Sequence, residues 1–149
     1  MDTNVPPARF TVITLGVSDV AASARFYQAL GFTQKMRATG DAVAFFETGG
    51  TALALYPWDK LADEAEVPHQ PRPQAFRGVT LAWNCSSDAE VDRAMAHALA
   101  AGGRRVKPAQ RTSYGGYAGY FADPDDHLWE IVVAPGISVM DSGLLALPD

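Results

Sequence analysis

A single cysteine, Cys85, occurs in the 149-residue chain, so no disulfide can form within it. That composition fits a reducing compartment, and a cytoplasmic location is expected. Nowhere do 18 apolar residues run together, which leaves no candidate membrane-spanning helix. The opening MDTNVPPARF carries an acid and two prolines but no apolar core, so no secretory leader is expected. There is no basic stripe either. Twelve Lys and Arg face 17 Asp and Glu, for a net charge of −5, which argues against nucleic acid and against an anionic membrane surface. Histidines number only three, His69, His97 and His127. No local Ser-His-Asp or Cys-His signature accompanies them. Glycines 115, 116 and 119 are followed by no GK[ST] and lead into a strand, so they form no phosphate loop. Cys85, placed just after an apolar strand, reads as an inert packing residue.

What is present is the composition of a compact protein: 48% hydrophobic and 19% charged residues, at a length that can bury a core without staples. FTVITLGV, from Phe10 to Val17, is β-branched and aromatic and predicts a strand. Ser18-Asp19 offers a helix N-cap. Val20, Ala24, Tyr27 and Leu30 follow at helical spacing, and Gly31 stops the helix. Three short β segments come next: Phe32 to Arg37, Ala42 to Thr48 and Thr51 to Tyr56, with Gly49-Gly50 as a hairpin turn. Between Pro57 and Gln74 four prolines and a short acidic segment mark a linker or lid, with room for one or two helical turns. The pattern then returns. Gly78 to Asn84 predicts a strand, Ser87 to Glu90 has the S-x-x-E capping-box spacing, and Val91, Met95, Ala98 and Leu99 form an apolar stripe ended by Gly102-Gly103. Arg104 to Lys107, Gly116 to Ala122 and His127 to Ala134 predict three more strands. The final ISVMDSGLLALPD alternates around Ser142-Gly143, as a hairpin would.

Both halves therefore read β-α-β-β-β, at a spacing of about 70 residues, the signature of two copies of a unit too small to bury its own sheet face. The expected organisation is one α+β domain over 1–149, with modules at 10–57 and 76–135, a linker at 58–75, and a hairpin or tail at 136–149. Thr14-Leu15 aligns with Thr80-Leu81, and Phe45-Phe46 with Tyr120-Phe121. The last alignment sets Ala54 against Glu130, an acid in the middle of the apolar strand YFADPDDHLWEIVVA. An unpartnered charge inside such a strand costs several kcal/mol. Period-2 alternation puts Leu128, Glu130 and Val132 on one face and Trp129, Ile131 and Val133 on the other, the latter suited to packing under helices.

The duplicated unit, with VSDVAASARFYQALGF at its first helix and DPDDHLWEI at its last hairpin, resembles the vicinal oxygen chelate superfamily. That group includes glyoxalase I, bleomycin-resistance proteins, fosfomycin-resistance enzymes and extradiol dioxygenases. The resemblance implies sheets curled into a cup enclosing a cavity. In metal-dependent members His, Glu or Gln on four strands face that cavity. Carried over residue by residue, the four positions fall at Val12, Ala54, Gly78 (or Val79, if the register slips by one) and Glu130. Only the last can bind a metal, and one carboxylate is too few for a dedicated divalent site.

The expectation is therefore a protein without metal or other cofactor that binds a small organic molecule. Val12, Thr14, Ala54, Gly78 and Thr80 would line the apolar cavity, with Tyr56, Trp58, Tyr114 and Tyr117 near its rim. Glu130 would be its anchor or, in an alternative reading, the general acid/base of a glyoxalase-type lyase or isomerase, since a desolvated carboxylate is suited to abstracting a proton next to a carbonyl. Metal assistance through Glu130 with His69 or water, and a structural or partner-binding module, are further alternatives. So is a purely structural Glu130, ion-paired with Arg77, Arg104 or Arg111. His97 is expected to face solvent and His127 to serve its local turn. The resemblance also implies a homodimer.

Overall fold

A computed structural model describes residues 4–149; the first three residues, part of the opening segment read above for a leader, lie outside them. The first module comprises β1 (Val12–Val17), α1 (Val20–Leu30), β2 (Thr33–Lys35), β3 (Ala44–Glu47) and β4 (Ala52–Pro57). A single 3-10 turn, Arg37–Thr39, separates β2 from β3. Helix α2 (Trp58–Glu64) opens the linker. The second module comprises β5 (Thr80–Asn84), α3 (Asp88–Ala100), β6 (Arg104–Arg111), β7 (Tyr117–Ala122) and β8 (Leu128–Val133), and the antiparallel pair β9 (Ser138–Val139) and β10 (Leu145–Ala146) follows. The architecture is α+β. Two mixed four-stranded sheets have the same order, β1-β4-β3-β2 and β5-β8-β7-β6, each with its first strand parallel to its last.

Local chemistry sets the helix ends. The Asp19 carboxylate accepts from the Ala22 amide at 2.9 Å, satisfying one of the donors that a first turn leaves orphaned. Gly31 takes φ +115° in the left-handed region, where a Cβ would be strained. In α3 the capping box forms with a shift: Ser87 accepts from the Glu90 amide at 3.2 Å, and Glu90 reaches back to the Ser86 amide, one residue beyond the expected Ser87. Strand β6 runs four residues past the expected Lys107. It is a sheet edge with register shifts, so Pro108 removes no ladder hydrogen bond that the fold requires.

One core joins the two modules. Leu15, Val17, Phe46, Leu53 and Leu55 of the first sheet and Leu81, Phe121, Trp129 and Ile131 of the second pack with Phe26, Tyr27 and Leu30 of α1 and Val91, Met95 and Ala98 of α3. Trp129 stacks on Phe121 with an interplanar angle of 7° and lies 6.0 Å from Tyr27.

The DPDDH segment fastens this joint. Asp123, buried, accepts from the Tyr27 hydroxyl at 2.7 Å and from the amides of Asp125 and His127, while Trp129 Nε1 donates to the Tyr27 oxygen at 3.1 Å. Asp125, also buried, accepts from the Ser18 amide at 3.0 Å and from Arg72 at 2.6 Å. Buried carboxylates persist where donors surround them in this way. The VSD and DPDD motifs thus touch across the module boundary.

One histidine departs from expectation, and another, exposed as expected, also bonds across the modules. His127, expected to serve its own turn, bonds the Gly16 carbonyl at 2.8 Å and Arg77 at 3.1 Å. His97, though exposed, bonds the Leu30 carbonyl at 3.0 Å, an orphan acceptor at the end of α1. His69 pairs with Asp63, and that bond raises its pKa.

Candidate functional site

Since the residues named in the core define the helix-packed face of each sheet, their alternates lie on the other face. In the first sheet these are Val12 and Thr14 on β1, Ala54 and Tyr56 on β4 and Phe45 on β3, with Thr14, Ala54 and Phe45 directly paired across strands. Ala54 is buried between its neighbours, whereas Thr14 and Val12 are exposed. The Trp58 ring lies over Gly16 at the end of this face: a Cβ on Gly16 would come within 2.8 Å of it. Arg77 stacks on the same ring at 5.1 Å.

On the second sheet the corresponding row reads Lys107 on β6, Tyr120 on β7, Glu130 on β8 and Ala82 on β5, each paired with the next. Thr80 shares this face, two residues from Ala82. The first sheet repeats the row as Lys35, Phe45, Ala54 and Thr14. The hairpin alignment of Ala54 with Glu130 therefore holds in three dimensions. By strand pairing, however, the residue equivalent to Thr14 is Ala82 rather than Thr80, two positions along the same face.

Glu130 is half-buried. The three arginines expected as ion-pair alternatives are engaged elsewhere: Arg77 with His127 and the Asp125 carbonyl, Arg104 with Asp126, Arg111 with Asp88. Among the described residues no salt bridge reaches it, and its polar neighbour is Tyr120. Burial, followed by hydrogen bonding to Glu130 and the proximity of its charge, raises the Tyr120 pKa, so the phenol remains a proton donor at neutral pH. Tyr114, mostly exposed, is near enough to raise it further. The Lys107 ammonium sits 6.0 Å from the Tyr120 ring.

Not every expected residue joins these faces. Gly78 precedes β5 in a bend with φ +78°, off the strand and exposed. Val79, its one-residue alternative, also precedes β5 and is exposed. Tyr117 points to the helix side, where its hydroxyl donates to Asp92 at 2.7 Å. Val12, Thr14, Ala54, Tyr56 and Trp58 gather on one sheet and Thr80, Tyr114 and Glu130 on the other, and β1 and β5, the edge strands of the two, are not hydrogen-bonded to each other. Lys107 and Tyr120 escaped the sequence reading. The alternation of β7 against Glu130 was the available signal for Tyr120, but the irregular pairing of β6 concealed Lys107.

The residues present do not fit a divalent cation. Val12 and Ala54 carry no donor and Gly78 has no side chain. Among the described residues no group of three or more His, Cys, Asp or Glu is placed to hold a metal. No described helix is long and apolar enough to cross a membrane.

The sequence profile of the Glyoxalase/Bleomycin resistance protein/Dioxygenase superfamily matches residues 9–131. No curated protein matches the chain. Among solved structures, a glyoxalase-related enzyme from Fulvimarina pelagi is 34% identical, with a TM-score of 0.83 over 95% of this chain and 99% of that one. A glyoxalase/bleomycin resistance protein/dioxygenase from Nocardioides is 28% identical, with a TM-score of 0.74 over 90% of this chain and 89% of that one. A lactoylglutathione lyase from Agrobacterium tumefaciens shares the fold at 21% identity and a TM-score of 0.66, over 86% and 95% of the two chains. With its duplicated sheets, their Ala54/Glu130 correspondence and this match over most of its length, the chain belongs to the Glyoxalase/Bleomycin resistance protein/Dioxygenase superfamily.

Proposed function

We propose that the protein is a metal-independent cytoplasmic member of the superfamily that binds a small organic molecule on the Glu130 face. The observation that carries this reading is Glu130 itself, a half-buried carboxylate with no ion pair among the described residues, on an otherwise largely apolar sheet face beside the proton-donating Tyr120. A ligand offering a hydrogen-bond donor to Glu130 and an acceptor to Tyr120 would satisfy both. The apolar surface of Leu128 and Ala82 supplies contact area, as binding sites generally combine a few polar anchors with apolar walls. A second copy of the chain closes this open face against the face of Val12, Thr14 and Ala54. The exposure of Val12, Thr14, Thr80 and Ala82 supports that closure, because an open apolar sheet face is a docking surface.

The test is a thermal-shift screen of small organic compounds on wild type and Glu130→Gln, since a ligand of the native state raises its melting temperature. Stabilising compounds whose effect shrinks in the variant support the reading. A broad screen without one refutes it. For the closure, sedimentation should give a dimer that Val12→Asp disperses, and a monomeric wild type ends that part.

One observation favours a second reading, a lyase or isomerase: the Tyr120 hydroxyl next to Glu130 is the electrophile that a carboxylate base needs beside it. Glu130 would take a proton from a carbon next to a carbonyl while Tyr120 donates to the developing enolate oxygen. Deuterium uptake from solvent into a carbonyl compound, abolished by Glu130→Gln and lowered by Tyr120→Phe, would establish it, and uptake indifferent to both variants would exclude it.

A further inference from the structure

A cavity of about 540 Å³ lies between the two sheets at the edges of β1 and β5; Ala82 of the Glu130 row borders it, but Glu130 does not. Ile13, Leu53, Leu81, Trp83 and Trp129 line it. Each alternates along its strand with residues of the Glu130 or Ala54 face, so these side chains leave their sheets on the opposite side from Glu130. The β9–β10 hairpin roofs it through Val139, Gly143 and Leu145. That roof is seated closely, for Gly49 and Gly143 meet backbone to backbone: a Cβ on Gly49 would lie 3.4 Å from the Gly143 Cα.

The cavity is partly open to solvent, with Phe10 and Leu145 exposed at its margin, and a volume of this size is in the range of small-molecule pockets. Its chemistry is uniform. Among the described residues no Asp, Glu, Lys, Arg or His lines it. The polar groups are Thr48, Thr51 and Asn84. Thr51 bonds the Phe10 carbonyl at 3.3 Å, whereas among the described residues the Thr48 hydroxyl and the Asn84 carboxamide make no side-chain hydrogen bond. One wall is fixed in advance, because the Trp129 indole is held by Tyr27, which is held in turn by Asp123. A rigid aromatic wall lowers the ordering cost of binding.

We infer that this cavity is a second binding site, for a neutral aromatic or alicyclic molecule carrying a single hydrogen-bonding group that Asn84 or Thr48 satisfies. A charged ligand is disfavoured, since nothing in the lining compensates its lost hydration. The site is formed within one chain and does not use Glu130, although Ala82 borders both it and the Glu130 face.

The experiment titrates the full-length protein with the uncharged fluorophore N-phenyl-1-naphthylamine, reading both its emission and energy transfer from tryptophan. Saturable binding of one molecule per chain is expected. Thr48→Trp and Leu145→Trp, which each put a large side chain into the lining, should each weaken it at least tenfold while melting cooperatively, and either variant suffices if the other fails to fold. Glu130→Gln should change it less than twofold. Absence of saturable binding overturns the inference. So does binding lost in Glu130→Gln but kept in the filled variants, which would place the probe on the other face. Sedimentation in parallel covers the remaining occupant: if the probe binds only as a dimer dissociates, the cavity belongs to an interface between copies and the inference fails.

Discussion

Replacing Glu130 by Gln separates an anchoring carboxylate from a structural one, and the arginine geometry sets the size of the effect. Had Glu130 been one end of a buried ion pair, the change would strand a cation and cost about 3 kcal/mol or more. Arg77, Arg104 and Arg111 all have other partners, so the variant leaves no charge uncompensated. The amide is nearly isosteric and removes a half-buried charge. Stability should therefore change by no more than about 0.5 kcal/mol, the range of substitutions that break no buried network. Ligand affinity should fall, because a charge-assisted hydrogen bond is roughly twice as strong as a neutral one. Urea denaturation resolves the two cases. With a slope of about 1–3 kcal/mol per molar, a stranded cation moves the midpoint down by about 1 M or more, whereas the anchor case moves it by about 0.5 M at most. A loss of the larger size would refute the assignment of Glu130 as an unpaired anchor, whatever the ligand.

Tyr27→Phe removes the hydroxyl that joins Asp123 to Trp129 and leaves two buried partners unsatisfied; a loss of about 2–4 kcal/mol is expected, read as a melting temperature lowered by about 2–4 °C per kcal/mol. Gly119→Ala places a Cβ 2.7 Å from Met95 Cε and 2.9 Å from the Ala109 amide nitrogen, so it should destabilise by about 1–3 kcal/mol through overpacking, checked by chemical denaturation. Burial raises the Asp123 pKa above its ordinary 3.8. The folded state therefore holds this proton more tightly than the unfolded one, and the associated stability is full below 3.8 and lost as pH rises through the folded pKa. Asp123→Asn does not titrate, so its stability relative to wild type should improve from pH 3 upward until Asp123 is ionised, and a pH-independent difference in paired melting curves would contradict the assignment.

The repeat, the capped helices and the α+β class were legible in the chain because each rests on local chemistry. Asp19 and Ser87 cap, Gly31 and Gly102 stop, and strands alternate with period two wherever one face is packed and the other open. The acid at Glu130 stood out for the same reason, as an exception to its own strand's pattern. What tertiary structure decided concerns residues far apart in sequence. Asp123 and Asp125 stood in the sequence only as part of the DPDDHLWEI motif, yet they bind Tyr27, Ser18 and Arg72 across the module boundary. His127 reaches Gly16, 111 positions away. Gly78 fell off its strand because β5 begins only at Thr80, a boundary that short-range pattern leaves uncertain by a residue or two. Lys107 joined the Glu130 row only because a bulge in β6 shifted its pairing, and a bulge reverses which face a side chain takes. Periodicity assigns residues to faces within a strand; which faces meet depends on pairing between strands, and that is settled only when the sheets and helices pack.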